Sequence, residues 1–220
     1  MLQPGPDIGR LAASEMRAAQ AAGHECGIHT WDHVRWQDNV RYRDEVWTQR
    51  QMTLAYDRFT DVFGRAPTTH GAAGWQTNDA ALAQIDAWGM VYASDGRGDG
   101  PFIPVVDGAA LLHVQLPTTL PTLDELIGLD GVDERNVAAS LLRATAGDAD
   151  HVFTLHAELE GGLLSPAFSE LVAGWKAQGH ALVSLATMYQ NLDTGAIAKR
   201  AMSWGRLEGR SGELMVTARG

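Results

Sequence analysis

The sequence predicts an α/β fold built around a mostly parallel sheet. Short apolar segments of strand length alternate along the chain with helical segments of about 12 to 20 residues. This alternation is the order expected when helices connect parallel strands. A (β/α) barrel is the first choice and an open doubly wound sheet the second, because local propensity does not separate the two.

Start and stop signals place the helices. Pro6 and Asp7 precede the first predicted helix, and Gly23 ends it. Gly64 and Pro67 end the second helix, which carries an apolar stripe along one face. The predicted helices are residues 7–22, 42–63, 78–88, 133–146 and 166–178.

The strands are predicted from short apolar runs between these helices. Each run is four to six residues long and ends near a glycine or a polar residue. The predicted strands are residues 25–28, 90–93, 111–116, 151–155, 181–184 and 213–217.

Composition limits the classes of function. The 220 residues suit one domain, residues 1–220, and the net charge of −10 with no basic run argues against nucleic-acid binding. The single cysteine, Cys26, excludes an intrachain disulfide and fits a reducing compartment. No apolar stretch approaches 18 residues, and the first residues lack the pattern of a signal peptide. A cytoplasmic protein is therefore expected.

Four polar residues stand at the ends of short strand-like segments. His29, His70, Asp95 and His156 each stand where a predicted strand gives way to a loop. In parallel α/β folds these strand ends lie at one face, where sites are built. The pattern predicts one convergent site, although loops are polar in any protein.

The pair His29 and His33 has the spacing of metal ligands. Residues at i and i+4 lie on one face of a helical turn, so both imidazoles can reach one ion. Thr30 stands where a zincin protease has glutamate, which disfavours that class. Two histidines are too few for a catalytic zinc, so a third ligand is expected elsewhere. The alternative is two surface or core histidines.

His156 begins a second cluster, His156-Ala157-Glu158-Leu159-Glu160-Gly161-Gly162. A histidine at a strand end can donate a proton to a leaving group, and nearby carboxylates can orient it. The alternative is a structural histidine before a turn. Cys26 lies inside a predicted strand and has little support as a nucleophile.

These motifs resemble those of the polysaccharide deacetylase (NodB-homology) superfamily. The segment from His29 to His33 resembles its His-[Ser/Thr]-x-x-His metal motif, and residues 154–156 resemble its later Leu-x-x-His-type segment. Longer stretches at residues 29–38, 68–76, 92–98, 115–122 and 155–161 are similar to members that deformylate a lipid-linked amino sugar. The resemblance implies a distorted (β/α) barrel of the NodB-homology type.

The resemblance also implies a site and a substrate. It implies a divalent metal (Zn, Co, Ni or Mn) on His29 and His33, and His156 as the general acid. It implies substrate-binding roles for His70, Gly71, Asp95 and Glu158. The implied substrate is 4-deoxy-4-formamido-L-arabinose carried by undecaprenyl phosphate, and the product serves lipid A modification and resistance to polymyxin-type peptides. Such a substrate places the enzyme at the inner face of the cytoplasmic membrane, with the membrane contacted through the substrate.

One departure from the family pattern concerns the start of the chain. The family begins with a strand that carries an Asp pair, one acting as base and one as metal ligand. Here 28 residues precede His29, and Asp7 is the one Asp among them. The first strand is therefore expected to be missing, and the chain alone is expected to be inactive or metal-poor. Another carbohydrate N-deacetylase and a remnant without activity are the alternatives.

Overall fold

The computed structural model describes residues 5–217. Its helices are α1 Ile8–Leu11, α2 Ala13–Ala21, α3 His33–Asn39, α4 Glu45–Phe63, α5 Asp79–Ala87, α6 Leu123–Leu126, α7 Val137–Ala144, α8 Ser165–Ala177 and α9 Leu185–Gln190. Its strands are β1 Thr69–His70, β2 Tyr92–Ala93, β3 Ile103–Val106, β4 Ala109–Ala110, β5 Val114–Gln115, β6 Lys199–Arg200, β7 Met202–Gly205 and β8 Leu214–Thr217. Helices dominate, and the strands are short.

A small parallel sheet, in the order β1-β2-β5, carries the centre of the fold. Thr69 lies opposite Tyr92, and Tyr92 lies opposite Val114. A parallel bridge from Ile28 to His70 adds residue 28 at the edge beside β1. The remaining strands form the groups β4-β3-β6 and β7-β8. The predicted α/β class with a parallel sheet is confirmed.

The helices lie near the predicted positions, but their boundaries differ from the predicted ones. The first predicted helix is two helices separated at Ala12. The second begins at Glu45 because Asp44 caps it, with its carboxylate accepting the backbone N–H of Trp47 at 2.9 Å. The helix predicted over 133–146 is reduced to α7, and α3 and α9 were not predicted.

Three strand predictions differ from the structure. Residues 151–155 and 181–184 form no strand within the described chain, and residues 25–28 contribute only the bridge at Ile28. The backbone carbonyl of Val152 accepts hydrogen bonds from the N–H groups of Thr119 and Leu120, at 3.0 and 3.2 Å. These backbone bonds do not extend into a β-ladder. An apolar run indicates burial, but a strand also needs a partner backbone, which the run does not specify.

Two large apolar clusters support the site from either side. The first packs α4 and α5 against residue 28 and α3, with Trp36, Met52 and Ile85 at its centre. The second packs α6, α7 and α8 together around Leu141 and Leu171. Burial of such side chains is the main stabilising term of the fold.

None of the helices within residues 5–217 is long and apolar enough to cross a membrane.

Candidate active site

A cavity of about 260 Å³ brings together residues from distant parts of the chain. Four of the predicted site residues, His29, His33, Gly71 and His156, line it. The other lining residues are Ala72, Gly74, Trp75, Ser94, Thr154 and Arg210. Of the four residues predicted to converge from strand ends, His29 and His156 line this cavity together with His33, whereas His70 and Asp95 do not.

The histidine pair is assembled differently from the prediction. His29 and His33 do not share one helical turn, because His33 is the first residue of α3 and His29 precedes it in a loop. Thr30 adopts a left-handed backbone, with φ of 61°, and Asp32 caps the helix by accepting the N–H of Arg35 at 2.9 Å. This turn still sets the two imidazole rings 5.2 Å apart between centroids.

The chemistry of the pair suits a divalent metal ion. His29 Nδ1 lies 2.8 Å from the backbone oxygen of Gly71, an acceptor, so Nδ1 carries the proton and Nε2 keeps its lone pair. Desolvation lowers the pKa of His29 and of His33, which favours the neutral ring that binds metal. However, no cluster of three or more His, Cys, Asp or Glu side chains suited to a metal occurs within residues 5–217. The pair supplies two of the three protein ligands that a catalytic zinc uses.

His156 reaches the cavity from the end of the extended segment 151–155. Its backbone N–H donates to Glu160 Oε2 at 2.6 Å, which fixes the turn that follows. Its ring nitrogen Nδ1 is buried without a hydrogen-bond partner among the described residues, and Asp124 Oδ1 lies 3.9 Å away. A histidine that faces a cavity in this way can exchange a proton with a bound molecule.

His70 and Asp95 lie behind the cavity wall rather than in it. Their side chains are 1% and 0% exposed, and His70 Nδ1 is 2.6 Å from Asp95 Oδ1. Gln115 Nε2 donates to the second carboxylate oxygen at 2.7 Å. Burial acts to raise the pKa of Asp95, but the charge of His70 and the hydrogen bonds from His70 and Gln115 outweigh it and hold that pKa below its ordinary value. Neither side chain lines the cavity, because the two are buried against each other, and their predicted contact with substrate remains a prediction.

The other two predicted substrate-binding residues have different environments. Gly71 lines the cavity, and its carbonyl orients His29. Glu158 is exposed and does not line the cavity, although its charge acts on His33. A substrate-binding role for either residue stays a prediction.

The sequence interpretation missed Arg210 and Trp75. Both line the cavity, and the Arg210 guanidinium carbon lies 4.6 Å from the centre of the Trp75 ring. The available signal was weak: Arg210 stands in a glycine-rich turn more than 50 residues after His156.

A second, larger cavity of about 510 Å³ lies between α8 and residues 180–192. Its lining is mostly apolar and includes Phe153, Leu155 and Trp175. It contains none of the predicted site residues, whereas the smaller cavity contains four of them.

Comparison with known protein families bears directly on these motifs. Residues 8–93 match the polysaccharide deacetylase family. The resemblance predicted from the histidine motif is confirmed. The matched segment contains His29, His33, His70 and Gly71, and His156 lies beyond it.

Two curated relatives extend the similarity along most of the chain. A protein of Shewanella sediminis (strain HAW-EB3), described as a probable 4-deoxy-4-formamido-L-arabinose-phosphoundecaprenol deformylase, ArnD, is 37% identical over 171 residues, or 78% of this chain. A protein of Wigglesworthia glossinidia brevipalpis with the same description is 28% identical over 76% of this chain. The chain spans 55% and 59% of the length of these relatives.

Comparison with solved structures tests the fold. A crystal structure described as a polysaccharide deacetylase from Mycobacterium smegmatis superposes with a TM-score of 0.66. The match covers 90% of this chain and 74% of that one at 18% sequence identity. The predicted fold class, α/β of the polysaccharide deacetylase type, is confirmed.

Proposed function

We propose that this chain carries the active-site histidines of a hydrolase that removes the formyl group from 4-deoxy-4-formamido-L-arabinose-phosphoundecaprenol. The observation that carries the proposal is the meeting of His29, His33 and His156 at one cavity of about 260 Å³. The choice of a formylated, lipid-linked sugar rests on the similarity to the ArnD proteins.

In this proposal His29 and His33 hold a divalent metal, which is Zn, Co, Ni or Mn because histidine combined with a carboxylate ligand suits these metals. Such a metal would polarise the formyl carbonyl and lower the pKa of a bound water. The remaining ligand comes from outside the two histidines, since the described residues offer no third one beside them. Activity of this chain is therefore expected to be weak.

The chain's own residues act on the sugar and on the leaving group. The Gly71 carbonyl holds the His29 ring in one orientation, with Nε2 free. His156 faces the cavity from the opposite segment and protonates the nitrogen of the departing amine. The buried pair of His70 and Asp95 fixes the ends of β1 and β2 behind these groups.

The proposed product amine belongs to lipid A modification and resistance to polymyxin-type cationic peptides, as the similarity to ArnD implies. The protein contacts the inner face of the cytoplasmic membrane through the undecaprenyl chain of its substrate.

The test is release of formate from the lipid-linked sugar in detergent, with the chain loaded separately with each of the four metals. His156→Ala is expected to reduce turnover about 100-fold, because general acid catalysis contributes about that much. His24→Ala is the matched control, since His24 is exposed and lies outside the cavity.

Release of acetate from N-acetylated sugars in place of formate would favour the other carbohydrate deacetylases. Undiminished formate release by the His156→Ala variant would contradict the role of His156. Full activity with stoichiometric metal would refute the expectation that the chain alone is inactive or metal-poor.

A further inference from the structure

The wall of the small cavity contains one permanent cation. Arg210 is the only Arg or Lys among the described residues that line it, beside the histidine group of His29, His33 and His156. Arg210 lies in the turn of residues 206–213, which connects the antiparallel strands β7 and β8. In the proposed reaction His29 and His33 bind the metal, and His156 donates a proton to the leaving amine. The guanidinium of Arg210 has no role in that reaction.

The guanidinium of Arg210 is held in place but is not saturated. It makes two long contacts, 3.3 Å from Nη1 to Glu125 Oε1 and 3.4 Å from Nη2 to the backbone oxygen of Gly74. It also lies over the Trp75 ring, and its side chain is 19% exposed. An arginine has five N–H donors, so several remain for a molecule in the cavity.

The carboxylate that contacts Arg210 also binds a second cation. The Glu125 carboxylate, 2% exposed, is shared by Arg210 and by the buried Arg97, whose Nη1 is 2.8 Å from Oε1. Two cations on one carboxylate leave one net positive charge in a chain whose total is −10. Among the acids near the cavity histidines, Asp124 and Glu158 are exposed and screened by water, whereas Glu160 is 3% exposed and accepts the backbone N–H of His156.

The turn that carries Arg210 is built to fit against α6. Gly209 has φ of 77°, and a Cβ there would lie 1.9 Å from the Glu125 backbone oxygen. Trp75 itself has a left-handed backbone, with φ of 53°, beside Gly74 at 62°. Strained non-glycine residues of this kind persist where the surrounding structure fixes them, often at binding sites.

We propose that Arg210 binds the phosphate of a glycosyl phosphate whose sugar occupies the cavity, and so selects phosphorylated sugars over neutral ones. The planar guanidinium matches phosphate oxygens with paired N–H groups. In the proposed substrate, phosphate at C1 and formamide at C4 lie on opposite sides of one pentose ring. A cavity of about 260 Å³ suits a single sugar, with the formamide at the histidines and the phosphate at Arg210. This inference rests on the proposed function for the identity of the sugar.

The test is calorimetric binding of three probes to the full chain. They are 4-deoxy-4-formamido-L-arabinose 1-phosphate, the neutral methyl glycoside of the same sugar, and inorganic phosphate. Arg210→Gln is expected to raise the Kd for the sugar phosphate about 10- to 100-fold, as loss of a charged hydrogen bond does, with the Kd for the glycoside unchanged. Arg206→Gln, on the same turn but exposed and away from the cavity, is expected to change neither Kd.

Arg210→Lys keeps the charge without the paired N–H groups, and intermediate affinity for the sugar phosphate is expected. Thermal melting of all variants by circular dichroism shows that each is folded. The proposal is overturned if the wild-type chain binds no sugar phosphate, or if Arg210→Gln leaves that Kd unchanged. It is also overturned if Arg210→Gln raises the Kd for the sugar phosphate and for the neutral glycoside equally. That result would mean that Arg210 stabilises the turn rather than binding phosphate. Arg210-dependent binding of inorganic phosphate as tight as that of the sugar phosphate would replace the substrate site with a site for free phosphate.

The binding and activity assays separate the two proposals. Arg210-dependent binding of the sugar phosphate, together with release of acetate from N-acetylated sugars but no release of formate, would refute the deformylase and keep the phosphate site. Equal rates of formate release from the sugar phosphate and from the neutral glycoside would refute the phosphate site alone.

Discussion

Replacing His70 with alanine removes the imidazole that faces Asp95 behind the cavity wall. The carboxylate is 0% exposed and 2.6 Å from His70 Nδ1, so water cannot take the place of the ring without rearrangement. Gln115 still donates to the other carboxylate oxygen at 2.7 Å. The variant therefore leaves one buried carboxylate oxygen without its hydrogen-bond partner.

The size of the effect follows from these contacts. Removing a hydrogen-bond partner of a buried charged group costs about 1–3 kcal/mol or more, because that group stays desolvated. Since Asp95 is a buried carboxylate that keeps its hydrogen bond from Gln115, His70→Ala is expected to reduce the free energy of unfolding by about 2–3 kcal/mol. This is a large fraction of the 5–15 kcal/mol typical of a domain.

The loss of unfolding free energy in the variant is expected to be smaller at acidic pH. The pKa of Asp95 is held below its ordinary value in the folded chain, so its contribution to stability is present above the unfolded pKa of about 3.9. That contribution disappears as the pH falls through the folded pKa. The difference between wild type and variant should therefore be smaller at about pH 3.5 than at pH 7.

Urea unfolding followed by circular dichroism measures both quantities. His24→Ala is the control, because His24 is exposed and its removal should change the unfolding free energy by less than about 0.5 kcal/mol. A loss below about 1 kcal/mol for His70→Ala at pH 7, or a loss that does not shrink in acid, would refute the reasoning about a buried, hydrogen-bonded carboxylate.

Two further substitutions test the turn and the core. Gly209→Ala places a Cβ 1.9 Å from the Glu125 backbone oxygen, and it is expected to weaken sugar-phosphate binding about 10-fold by displacing Arg210. Gly212→Ala is its control in the same calorimetry, since Gly212 also has a positive φ, 81°, but meets no atom within 4 Å; equal effects would contradict the clash. Leu171→Ala removes a side chain 0% exposed among α6, α7 and α8 and is expected to cost about 2–5 kcal/mol in urea unfolding. Leu163→Ala, at a residue 76% exposed, should cost far less; a similar loss at both positions would refute the assignment of the core.

Helices were predicted more accurately than strands, because the signals that begin and end a helix lie within a few residues of it. Capping and stop signals act over a few residues, so the helix that ends at Phe63 and the helix that Asn78 begins were placed closely. The segment 151–155 has the apolar pattern of a strand but lies beside no backbone that completes a ladder in the described chain. Pairing depends on distant residues, and the pattern of one segment does not specify them.

Some residues of the candidate site could be predicted from the sequence, and others could not. Motif spacing singled out His29, His33 and His156, and all three line one cavity. The environment of His70 and Asp95 was not predictable, because a polar residue at a strand end can face either the solvent or a partner on the next strand. Arg210 was missed because its place beside the histidines comes from the packing of the β7–β8 turn on α6, across more than 80 residues of sequence.

The sequence by itself determined the α/β class, singled out the three histidines and showed the similarity to polysaccharide deacetylases, since residue type and short spacing carry that information. Only the tertiary structure decided which groups share a cavity. It turned His70 and Asp95 inward as a buried pair, and it brought the cation of Arg210 to the histidines. Such neighbours are set by the folding of distant segments around two apolar clusters, and no local pattern encodes that arrangement.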